Sequence, residues 1–240
     1  MEEYKAFVGI SDFPSFSIKS KEITTEKSKK QGFDALAAVF YDISTGVHSL
    51  EIWSRLYLPQ MNAKYLVFHE FTHIWDAEVY SLKDKVKHMS NKGYTEYHAA
   101  QIDFMKILGA ANIYEPFSFD INHKIETFTG TKTAKDFVEM PLNLATELIM
   151  RPDFPANIET LATTMGSIFN YYGRRSICKM YAVNYDDNAD VKAIASFLGN
   201  DTVKALDEYM LGWFEKNKVS LIDELYRMMV LTFASKYHLS

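Results

Sequence analysis

Between residues 62 and 81 the spacing predicts a helix with apolar side chains on nearly every side: Leu66, Val67, Phe68, Phe71, Ile74, Trp75 and Val79. A helix that is apolar all round has no solvent face, so it must run through the centre of its domain. Pro59 and Asn62 introduce it, and inside the run stand His69, Glu70 and His73 in the pattern H-E-x-x-H. The two imidazoles fall about one turn apart on one face. Without a task, a His-Glu-His cluster in so apolar a setting would be costly. Two imidazoles so placed can bind one zinc ion, and Glu70, slightly round the helix, can hold the water that the metal polarises.

Such a site needs a third protein ligand. Downstream, Gly93 and Gly109 bracket a second helical pattern with apolar positions 97, 100, 104, 107 and 108. Thr95 reads as its N-cap, which puts Glu96 in the first turn, where the helix dipole favours a carboxylate. Ala99 and Ala100 would let this helix approach the first closely. Glu96 and His98 lie about 200° apart on it, so both cannot face one ion. Glu96 is the preferred third ligand and His98 the alternative. Three ligands with one open position is a catalytic count, whereas a closed structural site would want a fourth Cys or His.

His69-Glu70-Phe71-Thr72-His73, followed after 22 intervening residues by Glu96 on a second helix, resembles the gluzincin arrangement of zinc metallopeptidases. The run from Glu96 to Phe104 is similar to the Glu-rich helix of the small ImmA/IrrE-type members, common in phage and mobile elements. The resemblance covers roughly residues 35–110, under a third of the chain. In the larger thermolysin-like enzymes an Asp follows the ligand Glu by four residues, and Ala100 occupies that place here. Asp76, on the same face as His69 and His73, is then read as the carboxylate that orients a ligand imidazole without touching the metal. The resemblance implies a zinc-dependent peptidase acting on a protein or peptide substrate, with His69, His73 and Glu96 holding Zn²⁺ and Glu70 as the catalytic base. The alternative is a zinc-stabilised regulatory or protein-binding module on the same scaffold, without hydrolysis. Glu70 favours the enzyme, because a purely structural site gains little from that carboxylate.

The expected fold is α+β. A small zincin-like sheet packs on the two metal-binding helices in residues 1–133, and a mainly helical subdomain follows in 134–240. Ala6 to Ile10 read as a strand, and the mixed charges from Lys19 to Lys30 as a solvated segment. Residues 37–41 and 47–53 flank Ser44-Thr45-Gly46 as a β-hairpin. In the enzymes resembled, a strand just upstream of the metal helix pairs with an extended peptide, so residues 47–54 are expected to line the cleft. His48 is read as a packed or exposed strand residue, and His88 as exposed in a lysine-rich connection. Residues 110–133 read as a loop, with Tyr114 and His123 as conceivable oxyanion partners that no spacing rule selects.

Beyond residue 134, Pro152 and Pro155 separate two helices, and Ser220 with Asp223 forms a capping-box pattern before the last. Leu161, Met165, Ile168 and Tyr172 mark a core face. Arg174, Arg175 and Lys179 read as an exposed basic face, with docking of an acidic partner as the sharper alternative, and Cys178 as structural. The net charge of −5 gives no general attraction to nucleic acid or anionic lipid, so neither is expected as a partner. A single Cys suits a reducing compartment, and with no signal core or spanning stretch the expected location is cytoplasmic.

Overall fold

The computed structural model describes residues 1–22, 36–57, 62–81, 83–213 and 218–238. It begins not with a strand but with helix α1, Glu2–Val8, closed by Gly9 at φ +70°. Tyr4, Phe7 and Val8 recur at helical spacing and are buried, and Glu2 and Glu3 sit in the first turn, where acidic groups are favoured. The apolar run from Ala6 to Ile10 is too short for its composition alone to choose between strand and helix. Tyr4 settles the choice by packing edge-on against Phe68 and Phe71 of the central helix and donating a 3.0 Å hydrogen bond to Thr72.

Strands β1 (Phe16–Lys21), β2 (Ala37–Asp42) and β3 (Val47–Trp53) form a sheet in the order β1-β3-β2, with β1 parallel and β2 antiparallel to β3. The β2–β3 hairpin turns where expected. Asp42 accepts hydrogen bonds from the Ser44 amide and hydroxyl, and Gly46 supplies the positive φ of +72°. His48, Leu50 and Ile52 point inward in strict alternation. Much of the charged segment 19–30 lies outside the described residues.

Helix α2 (Lys64–Asp76) crosses beneath this sheet and runs on as a π turn, Ala77–Ser81. The short α3 (Lys85–Ser90), N-capped by Asp84, leads directly into α4 (Lys92–Ile107). The second helix therefore starts at Lys92, and Thr95 lies inside its first turns instead of capping it. Within the segment expected to be a loop, β4 (Lys124–Thr127) and β5 (Gly130–Thr133) form a second hairpin.

The remainder is helical: α5 (Ala134–Ile149), α6 (Ile158–Tyr181), α7 (Lys192–Leu198), α8 (Asn200–Tyr209) and α9 (Val219–Lys236). Thr133 and Asp136 make a reciprocal capping box for α5, and Asn157 caps α6. Ser220 falls inside α9, which has no side-chain cap at Lys218. Helix α6 lies against α4 so closely that a Cβ at Gly173 would run into the carbonyl oxygen of Tyr97. Leu161, Met165, Ile168 and Tyr172 are buried there, as their spacing predicts. Cys178 is buried beside them, and burial pushes its thiol well above the usual range.

Of the basic cluster on α6 expected to be an exposed face, Arg174 and Arg175 are buried and only Lys179 is exposed. Arg175 forms a fork onto Asp187 and a 2.6 Å bond to Asp207, while Lys179 reaches Asp187 at 2.6 Å. These pairs tie residues 182–191 and α8 to α6. Arg174 turns inward toward α4. One apolar cluster runs from Tyr4 to Phe233, and among the described residues no helix is long and apolar enough to cross a membrane.

Candidate metal centre

Helix α2 presents His69 and His73 one turn apart, with ring centroids 4.7 Å apart and nearly perpendicular. Helix α4 brings Glu96 up to both. Its Oε2 lies 3.6 Å from His69 Nε2 and 3.8 Å from His73 Nε2. Metal–ligand bonds of about 2.0–2.1 Å in tetrahedral array would hold such atoms about 3.3 Å apart, so the gaps need only a slight contraction. One ligand atom from each residue lies within 4.8 Å of the others, and this His/His/Glu group could hold a metal ion.

The far nitrogen of each imidazole is already committed. His69 Nδ1 donates to Asp103 Oδ2 at 3.0 Å. His73 Nδ1 lies 2.8 Å from the hydroxyl of Thr95, whose single proton goes to Asp76 Oδ2 at 2.9 Å. The contact with His73 must therefore run from Nδ1–H to the Thr95 oxygen. Both Nε2 atoms face Glu96, and once free of a proton they present the lone pairs a metal requires.

Asp76 thus touches neither His69 nor His73, the contact expected of it. It lies buried between Thr95 and His98, whose Nδ1 donates to it at 3.0 Å. Asp76 lies three residues, about 4.5 Å of helical rise, beyond His73, and Thr95 bridges the two. His98 itself is not among the convergent ligand atoms. Asp103 and Thr95 are the residues that sequence reasoning missed. Asp103 had a usable signal, because it stands seven residues after Glu96 and hence on the same helical face.

Burial opposes charge on His69, but the bonds to Asp103 and Glu96 outweigh it and push its pKa up to about 10. Burial, helped by the neighbouring charges of His69 and Lys92, pushes His73 down to about 3 against the pull of Glu96. Burial also opposes charge on Glu96, yet His73 and His69 hold its carboxyl at about 2. Glu70, only 8% exposed, is pushed up to about 7 by burial.

These groups open on one cavity of about 320 Å³. Its far wall is Ala37, Ala38 and Val39 of β2, not β3 as expected. The sheet order explains the difference: β3 is flanked by strands on both sides, whereas β2 is an edge among the described residues. Lys92 also lines the cavity and forms no ion pair with any described residue. His88 is not exposed as expected. It lines the same cavity from α3, with Ser81 at 3.3 Å, and burial with Lys92 pushes it down to about 4.

His48 is a packed strand residue, stacked on Tyr41 with Glu78 at 3.3 Å. Tyr114 donates to the Val8 carbonyl, and neither it nor His123 lines the cavity. Comparisons with protein-family models, curated proteins and solved structures returned no match.

Proposed function

We propose that the chain is a zinc-dependent metallopeptidase of zincin-like architecture. The observation that carries this reading is the convergence of His69 Nε2, His73 Nε2 and Glu96 Oε2 in one cavity with Glu70, with both Nδ1 atoms tied to acceptors. Two neutral imidazoles and one carboxylate suit Zn²⁺ and leave a coordination position open. When bound, zinc supplies Lewis acidity that activates water and polarises a carbonyl. Glu70 takes a proton from the attacking water on its carboxylate and delivers it to the nitrogen of the leaving amine. The substrate lies extended along the outer edge of β2, a strand that among the described residues pairs only with β3. Lys92 places a positive charge in the cavity close to both Glu70 and Glu96.

Zinc analysis of protein purified without added metal, followed by incubation with a proteome-derived peptide mixture, tests the proposal. About one zinc per chain is expected. New peptide termini should disappear on chelation and return with zinc. Zinc-loaded protein that cleaves nothing would leave the non-hydrolytic, zinc-stabilised module as the better account.

A further inference from the structure

We infer that helix α6, which begins only at Ile158, is the element that positions the metal ligands: Arg174 fixes His69 through Asp103, and Asn170 fixes Glu96 directly. This rests on the reading of His69, His73 and Glu96 as metal ligands.

Gly166, Asn170 and Arg174 succeed one another at intervals of four on α6, so they form a single ridge along its surface. Each meets a different part of the site. At Gly166 the Glu96 side chain rests against the bare backbone, where an added Cβ would be 3.4 Å from both Cδ and Oε1. At Asn170 the amide donates to Glu96 Oε2 at 2.8 Å, the same oxygen that faces both imidazoles. At Arg174 the guanidinium engages Asp103 with two donors, Nη2 to Oδ2 at 2.9 Å and Nε to Oδ1 at 3.3 Å. Asp103 Oδ2 in turn accepts the Nδ1 proton of His69.

Arg174 is itself clamped. Its Nη1 donates to the Phe137 carbonyl at 2.8 Å, and its guanidinium lies 3.8 Å from the centroid of the Phe137 ring. That carbonyl is available for a reason visible in the sequence. Pro141, four residues on inside α5, has no N–H to give it. A buried Arg with three donors so placed holds a carboxylate in one plane, which Lys cannot do. The plane of Asp103 then fixes which way His69 turns its Nε2.

The full-length chain can be tested by competition for Zn²⁺ against a chromogenic chelator, with the visible spectrum of the Co²⁺-substituted protein as a report on ligand geometry. Arg174→Gln is expected to weaken Zn²⁺ binding by about 10- to 100-fold and to change the Co²⁺ bands. Arg174→Lys should recover part of the affinity, since it restores the charge without the fork. Asn170→Ala, a milder change that keeps the test alive where Arg174→Gln does not fold, should weaken binding by about tenfold. A residue that only stabilises the fold would lower the melting temperature and leave affinity and spectrum as they were. If folded Arg174→Lys and Asn170→Ala both bind Zn²⁺ as the parent does, with an unchanged Co²⁺ spectrum, the positioning role is overturned and the ligand assignment stands. If the parent chain binds no Zn²⁺, it is the ligand assignment that fails.

Discussion

His73 and Asp76 lie three residues apart on α2 and are linked by hydrogen bonds through Thr95 of α4, whose hydroxyl accepts from one and donates to the other. The relay makes the two metal helices interdependent, because an imidazole on α2 is oriented by a hydroxyl on α4. Thr95→Val keeps the shape and removes the acceptor, leaving the buried Nδ1–H of His73 without a partner. Zinc affinity should fall by about 10- to 100-fold, measured by chelator competition. Asp76→Asn, one bond further out, should cost less than Thr95→Val. The reverse order would mean that Asp76 acts on the imidazole by some route other than Thr95.

The choice between Glu96 and His98 can be decided in the same assay. Glu96 Oε2 faces both imidazoles, whereas His98 spends its Nδ1 on Asp76. Glu96→Ala should abolish tight zinc binding, and His98→Ala should lower it only slightly through the freed Asp76. Tight binding by the Glu96 variant would reject the ligand set.

Much of this centre could be read in the residues themselves. His69, Glu70 and His73 stand in an apolar run that has to be buried, and helical spacing alone puts the two imidazoles together. The hairpin was legible because Gly46 supplies a turn conformation that few other residues adopt. What failed were the boundaries and the long-range partners. Asn91 and Lys92 begin α4 three residues ahead of Thr95, so a residue that resembled a cap is instead an interior hydroxyl aimed at His73. The carboxylate sought at position 100 stands at Asp103, one turn further along the same face. Arg174 was misread because Arg is ordinarily exposed, and its partner Asp103 lies 71 positions away, a pairing that no local pattern encodes.

Acid stability offers a test away from the metal. Burial opposes the charge on Asp187, but hydrogen bonds from Arg175 and Lys179 prevail and lower its pKa from 3.8 to about 2. A carboxylate depressed in the folded state adds stability above its unfolded pKa and loses that contribution as the pH falls through the folded value. The window is therefore about pH 4 down to pH 2. Full conversion of the shift would give roughly 2.4 kcal/mol, but the side chain is well hydrated, and about 1 kcal/mol is the expected effect. Asp187→Asn should lower stability near pH 7 and show a shallower decline between pH 4 and 2 in denaturant titrations. Parallel pH profiles for the two proteins would remove Asp187 from the acid response.

The last test separates holding a metal from using it. Glu70 lies in the cavity beside the ligands but is not one of the three convergent groups. Glu70→Gln preserves size and the capacity to hydrogen-bond while removing the basic oxygen, so the folded variant should retain about one zinc per chain. Hydrolysis should fall by about 10²–10⁴-fold, equivalent to roughly 3–5 kcal/mol of barrier, because a positioned general base contributes on that scale. Loss of zinc together with activity would show that Glu70 supports the site's structure and would leave its role as a base without support. Retained zinc with undiminished cleavage would exclude Glu70 as the proton acceptor. Only retained zinc with lost cleavage matches the role assigned to it, and that pattern requires no knowledge of the natural substrate beyond one cleavable peptide.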